Sequence, residues 1–242
     1  MPAMVDRESS DRLIAGGYYV TMPSERPKHK SASLMPPRIL SVSDCLATIF
    51  PSTWALSWAN HTECERLEAM AAAGLPDAAL QRAMSWVTAA LDAGEFGWPN
   101  LFTSLDAARR FVAEFLPASD NAVILGIGLP ERIRRSFLDT EKPDARTAPP
   151  GIYTMLSVGS DMACGGEYLG IELLGYEFSG QCHSWLCNEL EVLVAERFGI
   201  RPNANGFLDA VGEAERAATA ITKEELGEPV RWDPWHIVRY AR

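Results

Sequence analysis

The nine residues Gln181-Cys-His-Ser-Trp-Leu-Cys-Asn-Glu189 hold two thiols, an imidazole and a carboxylate. Three chemistries fit those residue types. A zinc site needs three or four convergent ligands. Cys182, His183 and Cys187 offer one cluster, with His183 and Cys187 four apart and so on one side of a helix. No second cluster has the paired spacing: Cys164, His236 and the distant His61 and Cys64 would have to arrive by folding. A cysteine nucleophile is the second chemistry, because a thiol near a helix start is acidified by the helix dipole. Cys182 would attack, His183 or His236 would act as base, and Glu177 or Glu189 would orient it. The third possibility is that the stretch only begins a helix. In helical phase Leu186, Cys187, Leu190, Leu193, Val194 and Phe198 share one face, which turns Cys187 into the core as inert packing. The residues favour a chain without catalytic or metal-binding side chains. Cys182 and His183 are the alternative catalytic pair, and the same two with Cys187 the alternative metal set. No cofactor is expected.

Gly126-Ile-Gly128 lies between a strand pattern and a helix pattern, as a dinucleotide-binding turn does. Position 131, however, carries Glu131, which repels phosphate at a helix start. Arg132, Arg134 and Arg135 read as a solvated helix face. Paired carboxylates such as Glu189 and Glu191 are two apart on a helix and point in different directions.

The elements that must position these residues follow from pattern and punctuation. Residues 1–38 carry five of the sixteen prolines and the basic patch Lys28-His29-Lys30, which reads as a poorly ordered arm. Residues 39–242 form one domain. Its subregion 39–116 reads as helical: Ser43 caps a helix ending at Phe50, a second runs from Trp54 to Gly74, and Leu80, Met84, Val87 and Leu91 recur at helical spacing after Pro76. Thr103 and Asp106 resemble a capping box ahead of a helix whose apolar face is Leu105, Ala108, Phe111, Val112 and Phe115. The region 117–242 holds the sheet, with a strand at 122–127, a helix from Pro130 to Leu138, and a surface linker at 139–150. Strands then follow at 152–158 and 168–178, helices at 183–198 and 209–221, and a last strand at 230–240. The fold class expected is α+β, with a mixed or antiparallel sheet of about four strands packed with helices.

The charge balance narrows the function. The chain of 242 residues has a net charge of −10, and residues 151–242 carry 14 acidic against 7 basic groups. Nucleic-acid binding draws its affinity from cations neutralising phosphates, so DNA and RNA are not expected partners. A basic protein would be attracted and steered. Five cysteines without regular spacing fit reduced thiols in a cytoplasm rather than a disulfide framework. The uncharged run from Cys45 to Thr62 approaches a membrane-spanning length, but Pro51, Asn60 and His61 interrupt it, so no membrane association is expected. Of the seven tryptophans, Trp54 and Trp58 share a helix face, while Trp232-Asp-Pro-Trp235 ahead of the last strand is the aromatic stretch suited to an interface.

The words "NAVILGIGLPE", "YLGIELLGYEFSGQCHSWLCNELE", "FGIRPNANGFLD" and "EPVRWDPWHIVRYA" resemble, in that order, bacterial proteins that look like the cytoplasmic immunity proteins of polymorphic-toxin systems. The resemblance covers residues 100–242, with "HSWLCNELE" its most specific word, and leaves the first 40 residues unexplained. It implies a non-catalytic protein that blocks a basic toxin domain in a stoichiometric complex. Glu167, Glu172 and Glu177 around the second strand and Trp232 and Asp233 before the last one would be the contacts. A small cysteine-dependent hydrolase or redox enzyme using Cys182 and His183 is the competing expectation.

Overall fold

The computed structural model describes residues 12–26, 34–43, 45–50, 77–116, 121–140, 151–177, 182–187 and 189–242. One eight-stranded sheet dominates them, and every strand pair in it is antiparallel. In chain order come β1 (Leu13–Met22), β2 (Ser24–Glu25), β3 (Arg38–Ile39), β4 (Thr48–Phe50), α1 (Asp77–Asp92), β5 (Phe96–Gly97), β6 (Leu101–Phe102) and α2 (Leu105–Phe115). Then follow β7 (Val123–Pro130), α3 (Glu131–Thr140), α4 (Ile152–Val158), β8 (Glu167–Tyr176), β9 (Cys182–Ser184), α5 (Leu190–Phe198), α6 (Val211–Glu224) and β10 (Trp232–Tyr240). Across the sheet the order is β5-β6-β1-β7-β10-β8-β9, with β4 also on β1, while β2 and β3 form a separate ribbon.

This overturns the expectation of about four strands behind a helix-rich N-terminal half. The largest error concerns β1. Its sequence LIAGGYYVTM has no alternation because the strand is buried on both faces, and a doubly covered strand reads as a continuous apolar run. The prolines at 2, 23, 27, 36 and 37 flank that run, and averaging composition over 38 residues hid the sheet's interior strand among loop residues. Thr48–Phe50 likewise pairs with β1 instead of ending a helix capped by Ser43. Conversely, Ile152–Val158 is helical: Ile152 and Leu156, four apart, face the core, and Gly159 closes the turn at φ 71°, a left-handed position that glycine adopts without strain. The β-branched residues there yield to tertiary packing. The expected helix from 183 is split into β9, a turn and α5, which begins after Glu189. The helix between Trp54 and Gly74 lies outside the described residues, as does most of the linker.

Elsewhere the elements match the pattern with shifted ends. α2 is capped by Ser104, whose Oγ accepts the Ala107 N–H at 3.1 Å, while Thr103 donates to the Gly94 carbonyl instead. Alternation along the strands divides the core between two faces. One face carries Tyr19, Leu125, Ile127, Trp235, Leu174 and Tyr176, covered by α3 and α4 through Ile133, Phe137, Ile152 and Leu156. Trp98, Tyr176, Trp235 and Phe137 run across it edge to face, with ring centroids 5.3–5.9 Å apart. The opposite face is covered at one end by α1 and α2, over Tyr18, Val20 and Ile124, and at the other by α6, whose Ala214, Ala217, Ala218 and Ile221 pack on Ile171, Leu173 and Trp232.

Candidate functional site

β9 separates the expected thiol chemistry. Cys182 and His183 are consecutive in a strand, so their side chains leave opposite faces of the sheet. Cys182 sits opposite Tyr176 in the buried aromatic face, and its thiol approaches the Tyr176 hydroxyl. His183, opposite Gly175, turns its Nε2 to Glu177 Oε1 at 3.0 Å. Cys187 lies in the turn before α5, with its Sγ 3.1 Å from Ser43 Oγ; the neighbouring Cys45 thiol and then burial push it far above the ordinary thiol range. The nine-residue cluster is thus three separate environments. Among the described residues no group of three or more His, Cys, Asp or Glu side chains gathers to hold a metal ion, and no helix is long and apolar enough to cross a membrane.

Gly126 and Gly128 lie inside β7 rather than in a phosphate loop, and they serve close packing. A Cβ at Gly126 would stand 2.7 Å from the Tyr240 ring, and one at Gly128 2.3 Å from Met162 Sδ. The Met162 side chain fills the space that these missing Cβ atoms leave. Arg134 is tied to Glu131 and to the carbonyl of Leu156, Arg135 to Glu131, and Arg132 to Glu215 on α6.

The acidic residues along β8 have three different fates. Glu177 holds His183, as above. Glu172 is fully buried, where no partner's surface can touch it. Ser41 Oγ and Ser184 Oγ each donate to its Oε1 at 2.7 Å, and each serine oxygen accepts a backbone N–H in turn, from Ser43 and Leu186. Burial outweighs these hydrogen bonds and raises the carboxyl to about 7. Glu172 therefore ties the segment at Ser41–Ser43 to β8 and to the turn after β9. Glu167 is the most exposed of the three, paired with Arg239 across the β8–β10 ladder.

Next to Glu167 is the residue that the sequence pattern did not single out. Tyr168 is 49% exposed, one of three large hydrophobic side chains exposed among the described residues, and Val211 at the start of α6 is another. Its hydroxyl meets His236 Nδ1 at 3.1 Å, and the two rings lie 5.7 Å apart. Burial lowers the histidine to about 4, so the ring is neutral at physiological pH. The phenol is pushed up to about 12 by its half-burial and by the nearby Asp209 carboxylate. Asp209 is itself fixed by the Asn203 amide at 2.7 Å, which also donates to the Leu169 carbonyl. Glu213 in the first turn of α6 adds a further carboxylate on this side. The ensemble is an exposed aromatic ring, held in one orientation from below by a neutral histidine, with the Asp209 carboxylate close by. The signal available in the sequence was Gly165-Gly166-Glu167-Tyr168, a turn delivering a large aromatic ring to the first residues of an otherwise apolar strand.

Trp232 and Asp233 are buried in β10 rather than exposed before it, at 3% and 4%. They form the floor of a separate groove between α3 and α6. Of the five expected contact residues, the structure therefore leaves Glu167 at an open surface and gathers Trp232 and Asp233 elsewhere. No protein-family model, curated protein or solved structure matches this chain, so the reading of the site rests on its own chemistry.

Proposed function

We propose that this chain is a non-catalytic binding protein that holds a basic protein partner against the surface around Tyr168. The observation that carries the reading is the exposed Tyr168 ring, braced by His236 and with the Asp209 carboxylate close by. Tyrosine is among the residues that dominate interface energetics, because it buries much area at little entropic cost. A ring already fixed by a buried hydrogen bond loses still less freedom on binding. The Asp209 carboxylate near it and the net charge of −10 favour a partner rich in lysine and arginine. Inhibition of a basic toxin domain, the role implied by the resemblance of residues 100–242, is the specific form this binding would take. The separation of Cys182 from His183 onto opposite faces of β9 supports this reading over that of a cysteine enzyme using the two together.

The test is affinity capture with the full chain from its native cell, followed by titration of the captured protein against variants. A basic partner at one-to-one stoichiometry is expected, with Tyr168→Ala weakening it by about thirtyfold or more, as for an interface hot spot. Undiminished affinity of a correctly folded Tyr168→Ala protein would overturn the assignment of this surface.

A further inference from the structure

β7 and β10 pair only as far as Gly128 and His236, and β7 ends at Pro130, so beyond that point Trp232–Trp235 run on paired with β8 alone. The vacated side is flanked by α3 and α6 and opens as a groove of about 400 Å³, within the roughly 300–1,000 Å³ usual for small-molecule sites. Its floor is apolar, from Trp232 and Pro234, with Ile133 and Ala218 on the walls. Its charged residues do not cancel. Arg132 is taken by Glu215, and Arg231 by Asp233 at 2.8 Å, whereas Lys223 has no carboxylate partner among the described residues. Three cations against two carboxylates leave one positive charge, in a chain whose net charge is −10.

We propose that this groove binds a small organic anion, an apolar ring or chain bearing one carboxylate or phosphate group. The apolar body lies on the indole of Trp232 and on Pro234, and the charged group meets Lys223. The hydroxyl of Thr222 accepts the backbone N–H of Trp232 at 3.0 Å. Its own proton has no acceptor among the described residues and is placed to donate to the same group. The Arg132–Glu215 pair joins the two walls, and one unmatched cation suits one anionic group rather than an acidic chain. The remote carboxylates do not oppose this, because at physiological ionic strength their field decays over about 8 Å. The site is separate from the Tyr168 surface and stands whether or not a protein binds there.

The experiment uses the full chain labelled with nitrogen-15 and titrated into the millimolar range with phenyl phosphate, benzoate, benzyl alcohol, inorganic phosphate and a hexaglutamate peptide. Saturable shifts of the Trp232 indole and the Lys223 amide are expected with one or both aromatic anions, and the comparison of those two identifies the preferred head group. Benzyl alcohol and inorganic phosphate, each lacking half of the recognition, should bind at least tenfold more weakly. Lys223→Gln, a change at the groove rim, should lower the affinity about tenfold with the melting temperature unchanged. No shift with either aromatic anion overturns the proposal, as does equal binding of benzyl alcohol or of inorganic phosphate. Undiminished affinity in Lys223→Gln overturns it too. Binding of hexaglutamate alone would make the groove a peptide site and overturn it likewise.

Discussion

Glu172 and His236 are a single step apart across the β8–β10 ladder, since Glu172 pairs with Trp235 and His236 with Ile171. Their side chains therefore leave opposite faces of the same sheet. Burial drives both toward neutrality and moves them in opposite directions, the carboxyl up to about 7 and the imidazole down to about 4. What differs is the company each keeps. Glu172 is enclosed by two serines that fasten distant segments, whereas His236 spends its Nδ1 on a tyrosine that stands out of the surface. The same physical perturbation thus accompanies an internal tie in one region and the footing of a binding surface in the other. A shifted pKa locates a buried group, and its partners tell what the group is for.

The largest effect expected from breaking this comparison is Glu172→Lys. An ammonium there would meet two hydroxyls and apolar neighbours without a counter-ion, and an uncompensated buried charge costs about 3–5 kcal/mol or more. The variant should be unfolded or near its midpoint without denaturant, as read by circular dichroism and urea titration. Glu172→Gln, which keeps the shape and can still accept from both serines, should remain folded; if the two behave alike, the carboxyl is not enclosed as described.

The next effect is a difference in pH dependence. Glu172 has a folded pKa raised from 4.5 to about 7, so its contribution to stability is complete below pH 4.5 and is lost as pH rises to 7. His236 has a folded pKa lowered from 6.5 to about 4, so its contribution is complete above pH 6.5 and is lost as pH falls to 4. Between pH 4.5 and 6.5 the two slopes oppose each other in the native protein. In Glu172→Gln the histidine acts alone, and stability should climb with pH relative to the native protein by roughly 3 kcal/mol across that window, at 1.36 kcal/mol per pKa unit. In His236→Gln the opposite tilt is expected, of similar size. Urea midpoints at pH 4.5, 5.5 and 6.5 measure both, and parallel curves for the three proteins would remove the assignment of these shifts.

How much of this was open to a reader of the sequence depends on the range of the interaction. Local signals were sound: the helix beginning beyond Pro76, the Pro117 stop after α2, and the apolar run of β7 rest on neighbours within a turn or two. The failures are long-range. β1 is a strand because β7, β4 and β6 pair with it, and its nearest rung partner, Thr48 opposite Met22, is 26 positions away in the chain. His183 seemed one turn from Cys187 only while a helix was assumed; hairpin pairing of β9 with Leu174–Tyr176 broke that phase. Glu167, Glu172 and Glu177 were expected together, as contacts around the second strand that the resemblance implies. The bulge at Leu169 keeps Glu167 and Glu172 on one side of the β8–β10 ladder, so position along the strand decides their fate: Glu167 lies at its exposed end, paired with Arg239, and Glu172 in its buried middle, opposite Trp235.

The smallest stability effect, and the sharpest on the functional side of the comparison, belongs to Glu167. Its carboxylate is exposed and pairs with Arg239, an arrangement worth about 0–1 kcal/mol. Glu167→Lys should therefore leave the urea midpoint nearly unchanged, in contrast to the same substitution five residues along the strand. It also reverses a charge one residue from Tyr168 along β8, so association with a basic partner should slow by several-fold at low salt, and the loss should shrink as salt is added, because steering acts through screened, long-range fields. Double replacement by Glu167→Lys and Arg239→Glu restores the pair and the local charge. If the Tyr168 surface is where a basic partner docks, the double variant should recover most of the association rate that the single one loses. A single variant that slows association equally at low and high salt would mean that Glu167 acts by shaping the end of β8 and not through its charge.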